Sequence, residues 1–251
     1  MSRSAHVLPI HTPDRARDIF QRQKAAAMAA PPPSLEARKT ALEKLEAVLV
    51  AHQDAIAEAI SADFGNRSIQ ETRILELYPA IDGLRYTRRH LKQWMKPQRR
   101  HVALTFLGAR NRVLSQPKGV VGIIAPWNYP LFLVVSPLTS ALAAGNRCMI
   151  KMAANSQRLA NLLHEILAPV FPQELLAVLP GVAARDFTPL PFDHLVFTGS
   201  PDSGRRVMRT ASDNLTPVTL ELGGKSPTLV AEDFNIQTAA ERILFAKYMN
   251  A

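Results

Sequence analysis

One cysteine in 251 residues, Cys148, leaves no partner for an internal disulfide and rules out a multi-cysteine metal site. No window approaches the roughly twenty apolar residues needed to cross a bilayer. The opening segment MSRSAHVLPIHTPDRARDIF carries charges throughout and has no apolar core of signal-peptide length. A soluble, cytoplasmic protein without a metal centre is the expectation. Internal repeats and low-complexity tracts are absent, as are zinc-finger spacing, an RNA-binding aromatic signature and an arginine-rich tail. Acidic side chains are the scarcer sign, 21 against 30 basic for a net charge of +9, which on its own admits nucleic acid or an acidic membrane as partner. Much of that excess lies in RYTRRHLKQWMKPQRRH, Arg85 to His101. There Ile74, Leu77, Ile81, Leu84, Leu91 and Met95 recur at helical spacing and leave the arginines on other faces. That is the pattern of a solvated helix face, so neither a nucleic-acid nor a membrane partner is expected.

What is present is apolar material enough for a core: 47% of residues are hydrophobic, in a chain long enough for one large domain or two small ones. The first third reads helical. Prolines end what precedes Ser34, which can cap a helix whose apolar face is Leu42, Leu45, Leu49, Ile56 and Ile60, and Gly65 stops it. A second long helix is predicted to run to about Lys96, before Pro97. Residues 98–116 lose that period and alternate as a hairpin would: HVALTF, a turn at Gly108, then RNRVLSQ.

From Pro117 the pattern changes to short β-rich runs alternating with helices. KGVVGIIAP, RCMIK, LLAVLP, DHLVFTGS and PVTLEL read as strands. Leu131 to Ala144, NSQRLANLLHEILAPV and Asp202 to Ser212 read as helices, the second turning Leu159, Leu162, Leu163, Ile166 and Val170 inward. This rhythm predicts an α/β fold with a parallel sheet covered by helices on its faces. Ligands bind such sheets at the carboxyl ends of the strands, so the residues after each strand are the candidates.

Four strand ends stand out. In FTGSPDSG, Gly199 is followed by Ser200 as a cap, Pro201 at the first helical position and Gly204 within the helix, a start that aims backbone N–H groups and a helix dipole outward as a pyrophosphate requires. It is not a G-x-G-x-x-G fingerprint, and no such copy occurs elsewhere. Lys151 ends RCMIK, where a lysine either snorkels to solvent or meets a ribose hydroxyl or phosphate. Asn128 in PWNYP is pinned between two prolines beside Trp127; its amide can form a turn or donate to a developing oxyanion. Finally, VTLELGGKSPTLV places a lone carboxylate, Glu221, between an apolar strand and two glycines. Such an acid is either a strand end reaching solvent or a base in an apolar setting.

In order and spacing, PWNYP, the strand-end lysine, FTGS with a glycine five residues on, and LELGGKSP resemble the aldehyde dehydrogenases. The resemblance covers most of the chain, and ELYPAIDGLRYTRRHLKQWMKP with PLPFDHLVFTGS looks most like the coniferyl aldehyde dehydrogenase branch. It implies a Rossmann-type sheet with N-terminal helices and a protruding hairpin arm. The expected division is 1–96 for the helical part of the cofactor domain, 97–116 for an oligomerisation arm and 117–251 for the dinucleotide-binding domain. It also implies NAD(P)-dependent oxidation of an aldehyde, coniferyl or another aromatic one, to its carboxylic acid. In the family a cysteine thiolate attacks the aldehyde, the hemithioacetal passes hydride to nicotinamide, and water hydrolyses the thioester. The implied catalytic residues are Glu221, activating that water with a pKa raised by apolar surroundings, and Asn128, the oxyanion donor. The implied cofactor contacts are Trp127, Lys151, Gly199, Ser200, Gly204, Leu222 and Gly223, with Gly223 and Gly224 turning the backbone beside nicotinamide.

The sequence departs from the family pattern in three places. The nucleophile normally follows N-A-G-Q-x-C, whereas this chain reads AKYMNA and stops at Ala251. Cys148 lies in a predicted buried strand with no base or helix start beside it, and so does not substitute. An N-terminal fragment without the catalytic domain, itself inactive, is the expectation, its parent a homodimer or homotetramer. Ala154 stands where NAD-preferring members commonly carry a glutamate, which leaves NADP open beside NAD. GVAARDFTPLP looks shorter than the family's helix-bearing equivalent. The competing expectation is a non-catalytic nucleotide-binding or interaction module using the basic surface.

Overall fold

A computed structural model describes residues 13–250. The first twelve residues of the segment read above as lacking a signal peptide, and Ala251, lie outside the described residues. Helix α1 (Pro13–Ala29) leads through the proline run to α2 (Leu35–Ala51), capped as expected by Ser34, whose Oγ accepts the Ala37 N–H at 3.2 Å. The single helix expected from Ser34 to Gly65 is two. His52 leaves helical geometry (φ −115°, ψ 19°) and α3 (Gln53–Phe64) starts after it, ending at Gly65 with φ +91°. Leu42, Leu45, Leu49, Ile56 and Ile60 are nevertheless all buried. Leu49 and Ile56 lie seven residues apart, close to two helical turns, so a stripe read by spacing passes over the break.

The second long helix is also divided: α4 (Ile69–Thr72), a π-helical turn over Arg73–Leu77, and α5 (Tyr78–Trp94). Pro79 lacks the N–H that an unbroken α-helix would use there. The wider turn rotates the following face, so Ile74, expected inward, is 66% exposed while Glu76 is fully buried. Beyond α5, strand β1 (Gln98–Arg100) pairs antiparallel with β2 (Asn111–Val113). The hairpin is real but short. HVALTF is not a strand and contains a 3-10 turn at Leu104–Phe106, and the arm is exposed almost throughout, so no second layer extends its ladder.

The remaining elements are β3 (Val120–Ile124), α6 (Phe132–Ala143), β4 (Arg147–Lys151), α7 (Gln157–Leu167), β5 (Leu176–Val178), α8 (Ala184–Phe187), β6 (His194–Gly199), α9 (Pro201–Ser212), β7 (Val218–Leu222) and α10 (Ile236–Tyr248). The strands form one parallel sheet in the order β5-β4-β3-β6-β7. Alternate residues of β3 serve two cores. Val121 and Ile123 join α2, α3, α5, α6 and α7 on one face, and Val120 and Ile124 join α1, α8 and α9 on the other. Cys148 is fully buried in β4. Strand β7, expected to be buried, is the sheet's edge: Val218, Leu220 and Leu222 are half-buried, Thr219 and Glu221 exposed.

Candidate functional site

Strand order reverses between β3 and β6, and the loops leaving their carboxyl ends diverge to opposite faces of the sheet, opening a crevice. A cavity of about 1190 Å³ lies there, beyond the ~300–1000 Å³ of a pocket for a drug-sized ligand. Trp127 and Asn128 come from the end of β3, Lys151 from β4, Gly199 and Ser200 from β6, and Glu221, Leu222 and Gly223 from β7. One expected contact is placed elsewhere. Gly204 lies behind the wall, where an added Cβ would meet Leu222 Cδ2 at 2.9 Å, so its smallness lets α9 pack on β7.

Ser200 caps α9, its Oγ accepting the Ser203 N–H at 3.3 Å, and Pro201 occupies the first turn. Ser203, Arg206 and Thr210, on one face of that helix, continue the cavity wall from its positive end. Lys151 is half-buried, and burial lowers its pKa below the ordinary lysine value. Among the described residues its ammonium has neither a salt bridge nor a side-chain hydrogen bond, which leaves a partly desolvated cation facing the cavity without a bonded counter-charge. Ala154 offers no carboxylate nearby, whereas Arg185 and Arg206 line the same space. The cavity thus has a cationic centre and a helix N-terminus to one side, which fits an extended anionic ligand such as a dinucleotide. The shortened stretch before β6 still bears a helix, the single turn of α8.

The wall formed by β7 differs from expectation. Glu221 is exposed and lies in register with Thr198, without the apolar enclosure predicted for it. Every residue from 223 to 237 is exposed. Gly223 and Gly224 do not take up left-handed backbone, and a Cβ on either would meet nothing within 4 Å, so no turn here demands glycine. Cys148 is not among the residues lining the cavity, and burial pushes its thiol far above the ordinary value, so no thiolate is available.

Sequence reasoning missed the support behind Asn128. Arg67, with a side chain 1% exposed, donates from Nη1 to Glu76 Oε1 at 2.7 Å and to the Asn128 carbonyl at 3.2 Å. Glu76 Oε2 accepts the N–H groups of Leu131 at 2.7 Å and Phe132 at 3.1 Å, where α6 begins. Burial raises the Glu76 pKa, against the opposing pull of Arg67 and those two amides. The guanidinium also lies 4.9 Å from the Phe64 ring and 5.5 Å from that of Tyr129. No spacing rule links residues 67, 76 and 128; the one trace in the sequence is a carboxylate within a helical apolar stripe.

The family model described as aldehyde dehydrogenase family matches residues 7–251. The chain belongs to the aldehyde dehydrogenase family. A probable coniferyl aldehyde dehydrogenase of Pseudomonas aeruginosa is 49% identical over 235 residues, covering 93% of this chain and 49% of that relative. Among solved structures, Staphylococcus aureus AldH in a substrate-bound state superimposes with a TM-score of 0.87 at 34% identity, over 94% of this chain and 52% of its own. PnpE in complex with nicotinamide adenine dinucleotide gives 0.81 at 29% identity, over 94% and 48%. The chain therefore has the α/β aldehyde dehydrogenase fold and spans about half the length of the relatives it matches.

Proposed function

We propose that this chain is the NAD(P)-binding part of an enzyme that oxidises an aldehyde, coniferyl or another aromatic one, to its carboxylic acid. The observation that carries the reading is the convergence of four strand ends, a capped helix N-terminus and an unpaired, half-buried lysine on one cavity. Ser200 and the first turn of α9 hold the pyrophosphate, Lys151 meets the adenosine ribose, and Trp127 and Leu222 line the cofactor's path. With no carboxylate at Ala154, a 2′-phosphate meets no repulsion, so NADP is accepted as well as NAD. The bound nucleotide supplies a hydride acceptor. Asn128 donates to the aldehyde oxygen as charge develops on it, and Glu221 takes a proton from the water that releases the acid.

The nucleophilic thiol comes from outside these residues, since Cys148 is sealed in the sheet. The chain alone is thus a binding unit without turnover. Residues 1–96 and 117–251 act together as the cofactor unit and 97–116 as the arm through which the parent enzyme forms a homodimer or homotetramer. The alternative, an interaction module using the basic surface, has less support: Arg85 and Arg88 of α5 are paired with Glu43 and Glu46 of α2.

Titrating the chain with NAD⁺ and NADP⁺, following tryptophan emission through Trp127 on the cavity wall, tests the binding half. Saturable quenching that Lys151→Met weakens is expected. Absence of binding to either nucleotide would remove the proposal's foundation, and aldehyde-dependent NAD(P)H formation by the chain alone would contradict its inactivity.

A further inference from the structure

We infer that Arg67 and Glu76 are positioning residues for the Asn128 amide, clamping the loop that carries it at both ends. The inference deepens the proposed function and rests on it for the role of Asn128. Among the described residues the Asn128 side-chain amide makes no hydrogen bond, so only its backbone and the two flanking prolines decide where it points. Arg67 holds that backbone at the Asn128 carbonyl, 3.2 Å away, and stacks near the Tyr129 ring next along the chain. Glu76 holds the other end through the Leu131 and Phe132 N–H groups. The two anchors are joined by their own 2.7 Å ion pair, so residues 128–132 are held by a single rigid unit.

That unit is an expensive way to fill a core. A buried ion pair seldom stabilises a fold more than apolar side chains of similar size, and here Arg67 Nη2 is also buried without a hydrogen-bond partner, while Nε has only the Glu71 carboxylate at 3.7 Å, beyond hydrogen-bond reach. Glu76 further occupies a π-helical turn that rotates it inward at the expense of Ile74. Packing alone would be served as well by Met at both positions. What Met cannot do is fix the carbonyl of Asn128 and the first amides of α6 relative to each other. A displacement of about 1 Å in an oxyanion donor is enough to cost on the order of 100-fold in rate.

The test compares Arg67→Met, Glu76→Gln and the double variant Arg67→Met/Glu76→Met with wild type, in the parent enzyme that carries these residues together with its nucleophile, since the chain alone is proposed to have no turnover. For the single variants we expect kcat lower by on the order of 10- to 100-fold, with dinucleotide affinity and aldehyde KM within about twofold. The double variant should recover melting temperature while kcat stays low, because the apolar pair restores packing without the anchors. Hydrogen exchange at residues 127–132 should quicken about tenfold or more in all three, and not at β5. If kcat follows melting temperature across the series, the pair is structural only and the inference fails. Should wild type show no aldehyde oxidation, the proposed function fails instead, and unchanged exchange at residues 127–132 would then overturn the clamp by itself.

Discussion

At the β3 side of the crevice every strand residue is buried, both faces of the sheet are covered, and the loop beyond is tied by Arg67 and Glu76. At the β7 side alternate residues face water, Glu221 is exposed, and so is every residue from 223 to 237. One cavity therefore has a finished wall and an open one. The finished wall carries most of the groups proposed to bind the nucleotide and the one proposed to orient the aldehyde oxygen, and the open wall carries the proposed base together with Leu222. The proposed nucleotide contacts draw mostly on residues that the fold buries or half-buries, whereas the proposed base, Glu221, is exposed among the described residues. Leu229 at 94% and Ile236 at 82% are apolar side chains left open in that stretch.

The sharpest way to break the comparison is proteolysis, which reads local opening. Trypsin should cut after Lys225, in the exposed stretch, at least about a hundredfold faster than after Lys151, whose strand opens only with the core. Equal rates would mean that the two walls are equally ordered. Glycine substitution asks the same question in stability. A Cβ at Gly122 of β3 would press on Leu195 and Phe192 at 2.7 and 2.8 Å, whereas one at Gly224 meets nothing within 4 Å. Gly122→Ala should cost about 1–3 kcal/mol and Gly224→Ala less than about 0.5 kcal/mol, read from denaturation midpoints.

How much of this contrast was legible in the sequence follows from what spacing records. The five strands, their alternation with helices and the meeting of PWNYP, Lys151, FTGS and LELGG at one end of the sheet were legible, because periodicity and turn residues are local signals. The break at His52 was hidden because the apolar stripe repeats across it at seven residues. The exposure of β7 was hidden because VTLEL reads alike whether or not a neighbour covers it, and burial of an edge belongs to the assembly. The clamp on Asn128 was hidden because it joins residues 67, 76 and 128 through contacts that no short window contains.

Lys151 sharpens the comparison at the level of binding. Its charge is present below its lowered pKa and lost as pH rises through it, so affinity for an anionic dinucleotide should fall at a less alkaline pH than an ordinary lysine would dictate. Lys151→Met should abolish that alkaline limb and weaken nucleotide binding by about tenfold, the scale of one charge-assisted contact. Stability of the unliganded chain should hold or rise, since a partly buried charge without a partner is removed. Glu221→Gln on the open wall should leave nucleotide affinity unchanged. If it weakens binding as much as Lys151→Met does, the division of labour between the walls is wrong.

The smallest effect concerns the tie between the two regions. His194, at the start of β6, accepts from Lys118 Nζ at Nδ1, 3.1 Å away, and reaches Thr219 Oγ1 of β7 with Nε2 at 2.9 Å. An ammonium donating to Nδ1 requires the neutral ring with its proton on Nε2. Burial first, and then the Lys118 charge, lower its pKa below the ordinary 6.5. With the folded value below the unfolded one, the unfolded chain binds more protons between them. The contribution to stability is therefore complete above about pH 6.5 and is lost as pH falls through the folded value. The ring is partly exposed, so the acid slope is small and is best read as the difference between wild type and His194→Gln, in which the other histidines cancel. Wild type should lose stability relative to the variant as pH falls below about 6.5, with exchange at β7 amides quickening before those of β3. Parallel pH curves for the two proteins would show that the open edge is held by its backbone ladder to β6 alone.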